Sequence, residues 1–170
     1  DERTLNEIYM PAFKAGIDAG ARAVMTSYNQ LNGEWCGQSS AVITDLLRKK
    51  LGFQWLVMTD WWSVYNGEKL VNSGQGLEMP SSFATKDVKK MLDEGETQMT
   101  QIDDMVRQQL VAFISMGTYD YKPDTSLLAN FPKHEETALQ TEREGIVLLK
   151  NNGILPLKPK QPKILLTGYF

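Results

Sequence analysis

One carboxylate stands out by its surroundings. Asp60 closes the apolar stretch Gln54-Trp55-Leu56-Val57-Met58-Thr59 and is followed at once by Trp61 and Trp62. An acid at the end of a buried strand, beside flat indoles, suits a ligand with apolar C–H faces and a reactive carbon, such as a sugar ring. An ionised carboxylate placed there can attack the anomeric carbon and form a covalent glycosyl-enzyme, which water then releases. That nucleophile must stay charged, and hydrogen bonds or nearby cations achieve this. The same Asp fits a structural duty, accepting the free amides of a following helix. The pattern alone leaves both readings open.

Tyr28 ends a second apolar stretch, Ala23-Val24-Met25-Thr26-Ser27. Its hydroxyl can hold the nucleophile in place, or the ring can sit at an edge with its tip in water. Trp61 can serve as a platform, Trp55 reads as strand packing, and Trp35 and Trp62 read equally well as rim packing. Glu34 and Glu78 are the obvious partners for a two-carboxylate mechanism. Glu34 lies in a polar loop and is expected to be solvated, Glu78 to be solvated or ion-paired. His134 is expected on the surface or as a cap.

Other chemistries find little support. With one histidine and one cysteine there is no multi-histidine metal site and no internal disulfide. Gly74-x-Gly76 lacks the Gly-Lys-Ser/Thr of a phosphate loop, and Asp103-Asp104 fits a polar helix face. No metal and no cofactor are expected. The net charge of −3 argues against a nucleic-acid partner. No apolar run approaches the roughly 18 residues of a membrane span, so no membrane partner is expected. Hydrophobic residues at 42% and charged residues at 23% fit a globular protein.

The elements that would position these groups alternate. Apolar residues at three- and four-residue steps predict a helix over 4–19, closed by Gly20. Strands are expected over 23–28 and 54–59, with a helix over 41–51 between them, capped by Ser39 or Ser40. Asn32-Gly33 marks a turn in the polar loop 29–37. A weaker helix over 64–72 and a short strand over 76–80 follow, then helices over 86–93 and 101–115. Strands alternating with helices imply a parallel sheet, whose chemistry gathers at the carboxyl ends of the strands. Tyr28 and Asp60 stand there. A helix is expected over 135–150 and a buried strand over 163–170. The first residue is Asp and the last strand has barely begun, so the chain is expected to be a piece of a longer protein.

Several motifs now line up. Met25-Thr26-Ser27-Tyr28-Asn29 with Asn32-Gly33, Leu51-Gly52-Phe53, Val57-Met58-Thr59-Asp60-Trp61 and Gly76-Leu77-Glu78-Met79-Pro80 together resemble glycoside hydrolase family 3. Arg143-Glu144-Gly145-Ile146-Val147-Leu148-Leu149-Lys150-Asn151-Asn152-Gly153 with Leu155-Pro156-Leu157 resembles the opening of that family's second domain. The resemblance implies an α/β fold: the C-terminal part of a (β/α)8 TIM-like barrel over 1–116, a linker over 117–134, and the beginning of an α/β sandwich over 135–170. It makes Asp60 the nucleophile of a retaining enzyme that releases terminal β-D-glucosyl or xylosyl residues. It puts Tyr28, Trp61 and Met25 around the terminal sugar, with a β-linked oligosaccharide or glucoside as substrate. It sets the acid/base Glu past Phe170, so the 170 residues alone are expected to be inactive. Thr59 stands where the family usually has Ser. Gly76-Leu77-Glu78 stands where it usually has Asp-Met, so no role passes to Glu78. The alternative is a remnant of the same fold that binds carbohydrate without catalysis. A periplasmic or secreted location is expected.

Overall fold

A computed structural model of the chain describes residues 1–160, 163–165 and 167–168. They divide into two compact units, Asp1–Lys122 and Pro123–Phe170.

In the first unit, Asp1 opens helix α1 (residues 2–18) by accepting the Thr4 amide at 2.8 Å. The helix widens to π-type turns over Leu5–Tyr9 and continues as regular α-helix over Met10–Asp18. Pro11, which has no N–H to donate, lies two residues past the end of the widened stretch. Strand β1 (Ala23–Thr26) pairs in parallel with β4 (Leu56–Thr59), in the register Ala23↔Leu56 to Thr26↔Thr59. Between them lie a hairpin of β2 (Gln30–Leu31) and β3 (Glu34–Trp35) and helix α2 (Ala41–Lys50). The hairpin turns on Asn32 (φ 51°) and Gly33 (φ 84°), the pair of left-handed residues that a two-residue turn requires. The loop expected over 29–37 is therefore a paired ribbon. The Ser39 hydroxyl accepts the Val42 amide at the start of α2.

Ile43 and Leu47 of α2 pack with Phe53 and with Val57 of β4, and Ile17, Val24, Leu51 and Trp55 close around them. Burying each such side chain stabilises the fold by about 1.5–3 kcal/mol. Arg48 crosses this core. Its guanidinium donates to the carbonyls of Trp55 (3.3 Å) and Gly74 (2.8 Å) and to Gln108 Oε1 (2.6 Å), joining α2 to the residue before β4 and to helix α5 (Met99–Ser115). Helices α3 (Gly67–Asn72), α4 (Val88–Asp93) and α5 (Met99–Ser115) complete the unit. Val64, Leu70 and Val71 form a second core against Ala84, Ile102 and Met105.

The strand expected over 76–80 shrinks to a single parallel bridge, Met58↔Leu77. Leu77 accepts the Thr59 amide at 2.9 Å, but the next amide, that of Met79, turns to the Thr59 hydroxyl instead of continuing the ladder.

In the second unit, Asp124 caps a 3-10 turn over Thr125–Asn130 that runs directly into helix α6 (Phe131–Gly145). The helix starts four residues before the expected Glu135, because Pro132 lies in its first turn, where a missing N–H costs nothing. It also ends before the expected Lys150, since Ile146 is already extended. Asn151 then gathers the turn, accepting the amides of Gly153 and Leu155. Lys163, Ile164 and Leu165 are exposed and form no strand, contrary to the buried strand expected there; Leu166, Tyr169 and Phe170 lie outside the described residues.

Candidate active site

The register of β1 and β4 decides what meets. Thr26 lies opposite Thr59, so the chain leaves both strands at the same end. Two residues beyond β1 stands Tyr28, and one beyond β4 stands Asp60. The Asp60 carboxylate lies close enough to the Tyr28 hydroxyl to act on its ionisation. The Tyr28 pKa is raised above the ordinary tyrosine value by desolvation, then by the neighbouring Asp60 side chain and its charge, with a contribution from Tyr65.

Asp60 does not cap a helix. Its Oδ1 accepts only the amide of the next residue, Trp61, at 2.7 Å. The following helix, α3, begins at Gly67 and is capped by Asn66, whose side-chain oxygen accepts the Lys69 amide at 2.8 Å. The carboxylate lies near Tyr28, and the exposed ring of Trp61 follows it directly in the chain.

The loop after Asp60 is fastened from below. Thr59 is fully buried and its hydroxyl accepts the Met79 amide at 2.9 Å. The Ser63 hydroxyl donates to the Asp60 carbonyl at 2.9 Å, and the Trp62 amide to the Met79 carbonyl at 3.2 Å. Trp62 adopts φ 54°, stands edge-on to Trp61 at 5.7 Å, and meets Phe83 at 6.3 Å. Met25 pairs with Met58 across the strands but lines a cleft of about 530 Å³ between α1, β1 and α2, whose walls do not include Asp60, Tyr28 or Trp61. The structure thus brings Tyr28 near Asp60, with Trp61 next in the chain, and turns Met25 toward a different concavity.

Neither of the other carboxylates is the solvated group expected. Glu34 Oε1 accepts the Gln38 side-chain amide at 2.7 Å, and Oε2 is ion-paired with Lys69. These bonds, Lys69 first and Gln38 second, hold the Glu34 pKa below the ordinary glutamate value. Glu78 is buried and pairs with no cation among the described residues. Its Oε1 accepts the amides of Phe83 (3.0 Å) and Ala84 (2.7 Å), and its Oε2 the amide (3.0 Å) and hydroxyl (2.6 Å) of Thr85. It is the anchor of the 81–85 loop.

Gln38, which the sequence did not single out, is buried and doubly used. Its Oε1 accepts the amides of Tyr65 (2.9 Å) and Asn66 (3.1 Å) while its nitrogen donates to Glu34. The available signal was its place five residues after the Asn-Gly turn. His134 lies exposed in the first turn of α6 with its ring 6.1 Å from Phe131. Asp104 faces Arg107 at 3.6 Å. No cluster of three or more metal-ligating side chains occurs among the described residues.

Comparison with known proteins bears on this geometry. Residues 1–111 match the family described as glycosyl hydrolase family 3 N terminal domain. A beta-glucosidase of Rhizobium radiobacter is 36% identical over 161 residues, an overlap covering 92% of this chain and 20% of that protein. The crystal structure of a Bifidobacterium adolescentis GH3 beta-glucosidase superposes with a TM-score of 0.65 at 32% identity, covering 92% of this chain and 23% of the other. The beta-glucosidase 3B of Thermotoga neapolitana in complex with glucose gives 0.65 at 32% identity, with 93% and 23% covered. The chain therefore spans about a fifth to a quarter of the length of these relatives.

Proposed function

The chain belongs to glycosyl hydrolase family 3, and from that premise we propose that it forms part of a retaining β-glucosidase in which Asp60 is the nucleophile. The observation that carries this reading is the carboxylate itself. It stands at the carboxyl end of β4, close to the Tyr28 phenol and directly before the exposed Trp61, and is not used to cap a helix.

In the proposed reaction an Asp60 oxygen bonds to the anomeric carbon of a terminal β-glucosyl or xylosyl residue. The bond from that carbon to the leaving oxygen breaks, and a carboxylic acid protonates the departing oxygen. Water, deprotonated by the same acid now acting as base, then attacks the anomeric carbon and restores the Asp60 carboxylate. Tyr28 keeps its proton and can hold the carboxylate in the attacking orientation. Trp61 offers a face to the sugar; the family resemblance implies Met25 there as well, but Met25 lines the separate cleft between α1, β1 and α2. Retention needs two carboxyl groups about 5–5.5 Å apart. Glu34 and Glu78 are both committed to other donors. The family resemblance implies an acid/base Glu outside these residues. By the same reading, residues 1–116 are the closing part of a barrel, 117–134 a linker and 135–170 the start of a sandwich domain.

The test is chemical trapping. A 2-deoxy-2-fluoro-β-glucosyl fluoride should inactivate the complete encoded protein and leave its fluorosugar on the peptide containing Asp60, and Asp60→Asn should abolish both labelling and turnover. A label on another carboxylate would overturn the assignment. Carbohydrate binding without turnover or labelling would favour the non-catalytic alternative.

A further inference from the structure

Asp60 is bonded twice within the turn that it opens. Its carbonyl accepts the Ser63 hydroxyl at 2.9 Å, and its Oδ1 accepts the Trp61 amide at 2.7 Å. The direction of the carboxylate therefore follows the peptide planes of residues 60–63. Those planes hold a conformation that the residue types disfavour. Trp62 has φ 54°, a left-handed value that a bulky side chain rarely adopts and that glycine would take freely. Two bonds oppose its relaxation: Ser63 to the Asp60 carbonyl across the turn, and the Trp62 amide to the Met79 carbonyl at 3.2 Å. Ser63 has little room to move, being 1% exposed. Gly37 lies against it: a Cβ built there would stand 3.5 Å from the Ser63 Oγ and 2.6 Å from Val64 Cγ1. Backbone strain held beside a reactive group is a mark of pre-organisation. A turn free to relax would have to be reordered at each attack on the anomeric carbon, and the rate would fall accordingly.

We propose that Ser63 is the positioning residue of the nucleophile: by bonding the Asp60 carbonyl it keeps the turn 60–63 in its strained form and so aims the carboxylate at the anomeric carbon. This rests on Asp60 as the nucleophile. The experiment follows inactivation of the complete encoded protein by 2-deoxy-2-fluoro-β-glucosyl fluoride. In that step an Asp60 oxygen bonds to the anomeric carbon and fluoride leaves with the electron pair. Three quantities are read: the first-order rate at saturation, the half-saturating concentration, and the final extent of label on the peptide containing Asp60. Ser63→Ala should slow the saturated rate about three- to tenfold, the worth of one hydrogen bond. Half-saturation should stay within about twofold and labelling should still reach completion. A serine that only supports folding gives another pattern, fewer labelled molecules at an unchanged rate, and that result overturns the proposal. So does a loss carried by half-saturation instead of rate. Ser63→Cys, whose thiol fills similar space and donates weakly, should show a smaller fall in the same direction. It decides the matter if the alanine variant does not fold, and an unchanged rate in it overturns the proposal. No label on Asp60 in the unaltered protein would instead remove the nucleophile assignment, and this proposal with it.

Discussion

Replacing Glu78 by Gln tests how the face around Asp60 is held. The buried carboxylate receives two donors on each oxygen: the amides of Phe83 and Ala84 on one, the amide and hydroxyl of Thr85 on the other. A glutamine keeps one accepting oxygen and presents an NH2 in place of the other. Whichever way the amide is turned, two donors lose their acceptor. A hydrogen bond to a charged group is worth about 1.5–3 kcal/mol, and a buried donor left unpaired costs about 1–3 kcal/mol. The loop reaches water through Phe83, which favours the low end, so the loss is about 3 kcal/mol. That corresponds to roughly 100-fold in the opening equilibrium of the loop. Amide hydrogen exchange reads it directly. In Glu78→Gln, the Phe83 and Ala84 amides or the Thr85 amide should exchange about 100-fold faster, while amides of the β1–β4 ladder keep their protection. Unchanged rates at all three positions would show that Glu78 does not hold the loop.

The remaining expectations concern ionisation and close packing. The Tyr28 phenol should ionise above its ordinary value of 10.0, so any stability it contributes is present below that pH and lost as pH rises through the raised value. An ultraviolet titration of the protein minus that of Tyr28→Phe should show this, and Asp60→Asn should bring the phenol back toward 10.0; no change in Asp60→Asn would disconnect the two residues. Glu34 has the opposite sign. Its stabilisation is present above its ordinary 4.5 and lost as pH falls through its lowered native value, so Glu34→Gln should narrow the gap between urea midpoints at neutral pH and at about pH 3. Equal gaps in both proteins would contradict the Glu34 pairing. A Cβ on Gly67 would lie 2.0 Å from the Ala84 carbonyl oxygen and 2.5 Å from Met91 Cε. Gly67→Ala should therefore cost about 2 kcal/mol in urea unfolding, and a loss below about 0.5 kcal/mol would mean that the 81–85 loop yields easily.

What could be read in advance followed from locality. The strands of the parallel pair are short apolar runs, Asn32-Gly33 carries its turn conformation in its residue types, and Asp60 stands out because its neighbours differ so sharply from it. The roles of Glu34 and Glu78 were hidden. Lys69 lies 35 positions from Glu34 and approaches only once α3 packs in place. The amides that bind Glu78 belong to a loop whose side chains, Ser81-Ser82-Phe83-Ala84-Thr85, give no sign of an acceptor. Gln38 was hidden for the same reason, since its partners are backbone groups 27 and 28 positions away. Over 76–80 the apolar pattern was sound, but the Thr59 hydroxyl outcompeted a strand carbonyl for the Met79 amide. The run Ile146-Val147-Leu148-Leu149 read as helix continues past Gly145 only as exposed extended chain.

Arg48 and Lys69 are both cations that bind distant segments together, yet ionic strength acts on them differently. Lys69 binds a charged carboxylate and both partners are part-exposed, so counterions compete for each of them. Arg48 holds neutral carbonyls and a neutral amide, with part of its guanidinium out of water. Dissolved salt has no opposing charge to displace there. A briny medium would thus slacken the clamp under Tyr65 while the joint between α2, β4 and α5 stayed tight, leaving the frame fixed and its aromatic lip loose.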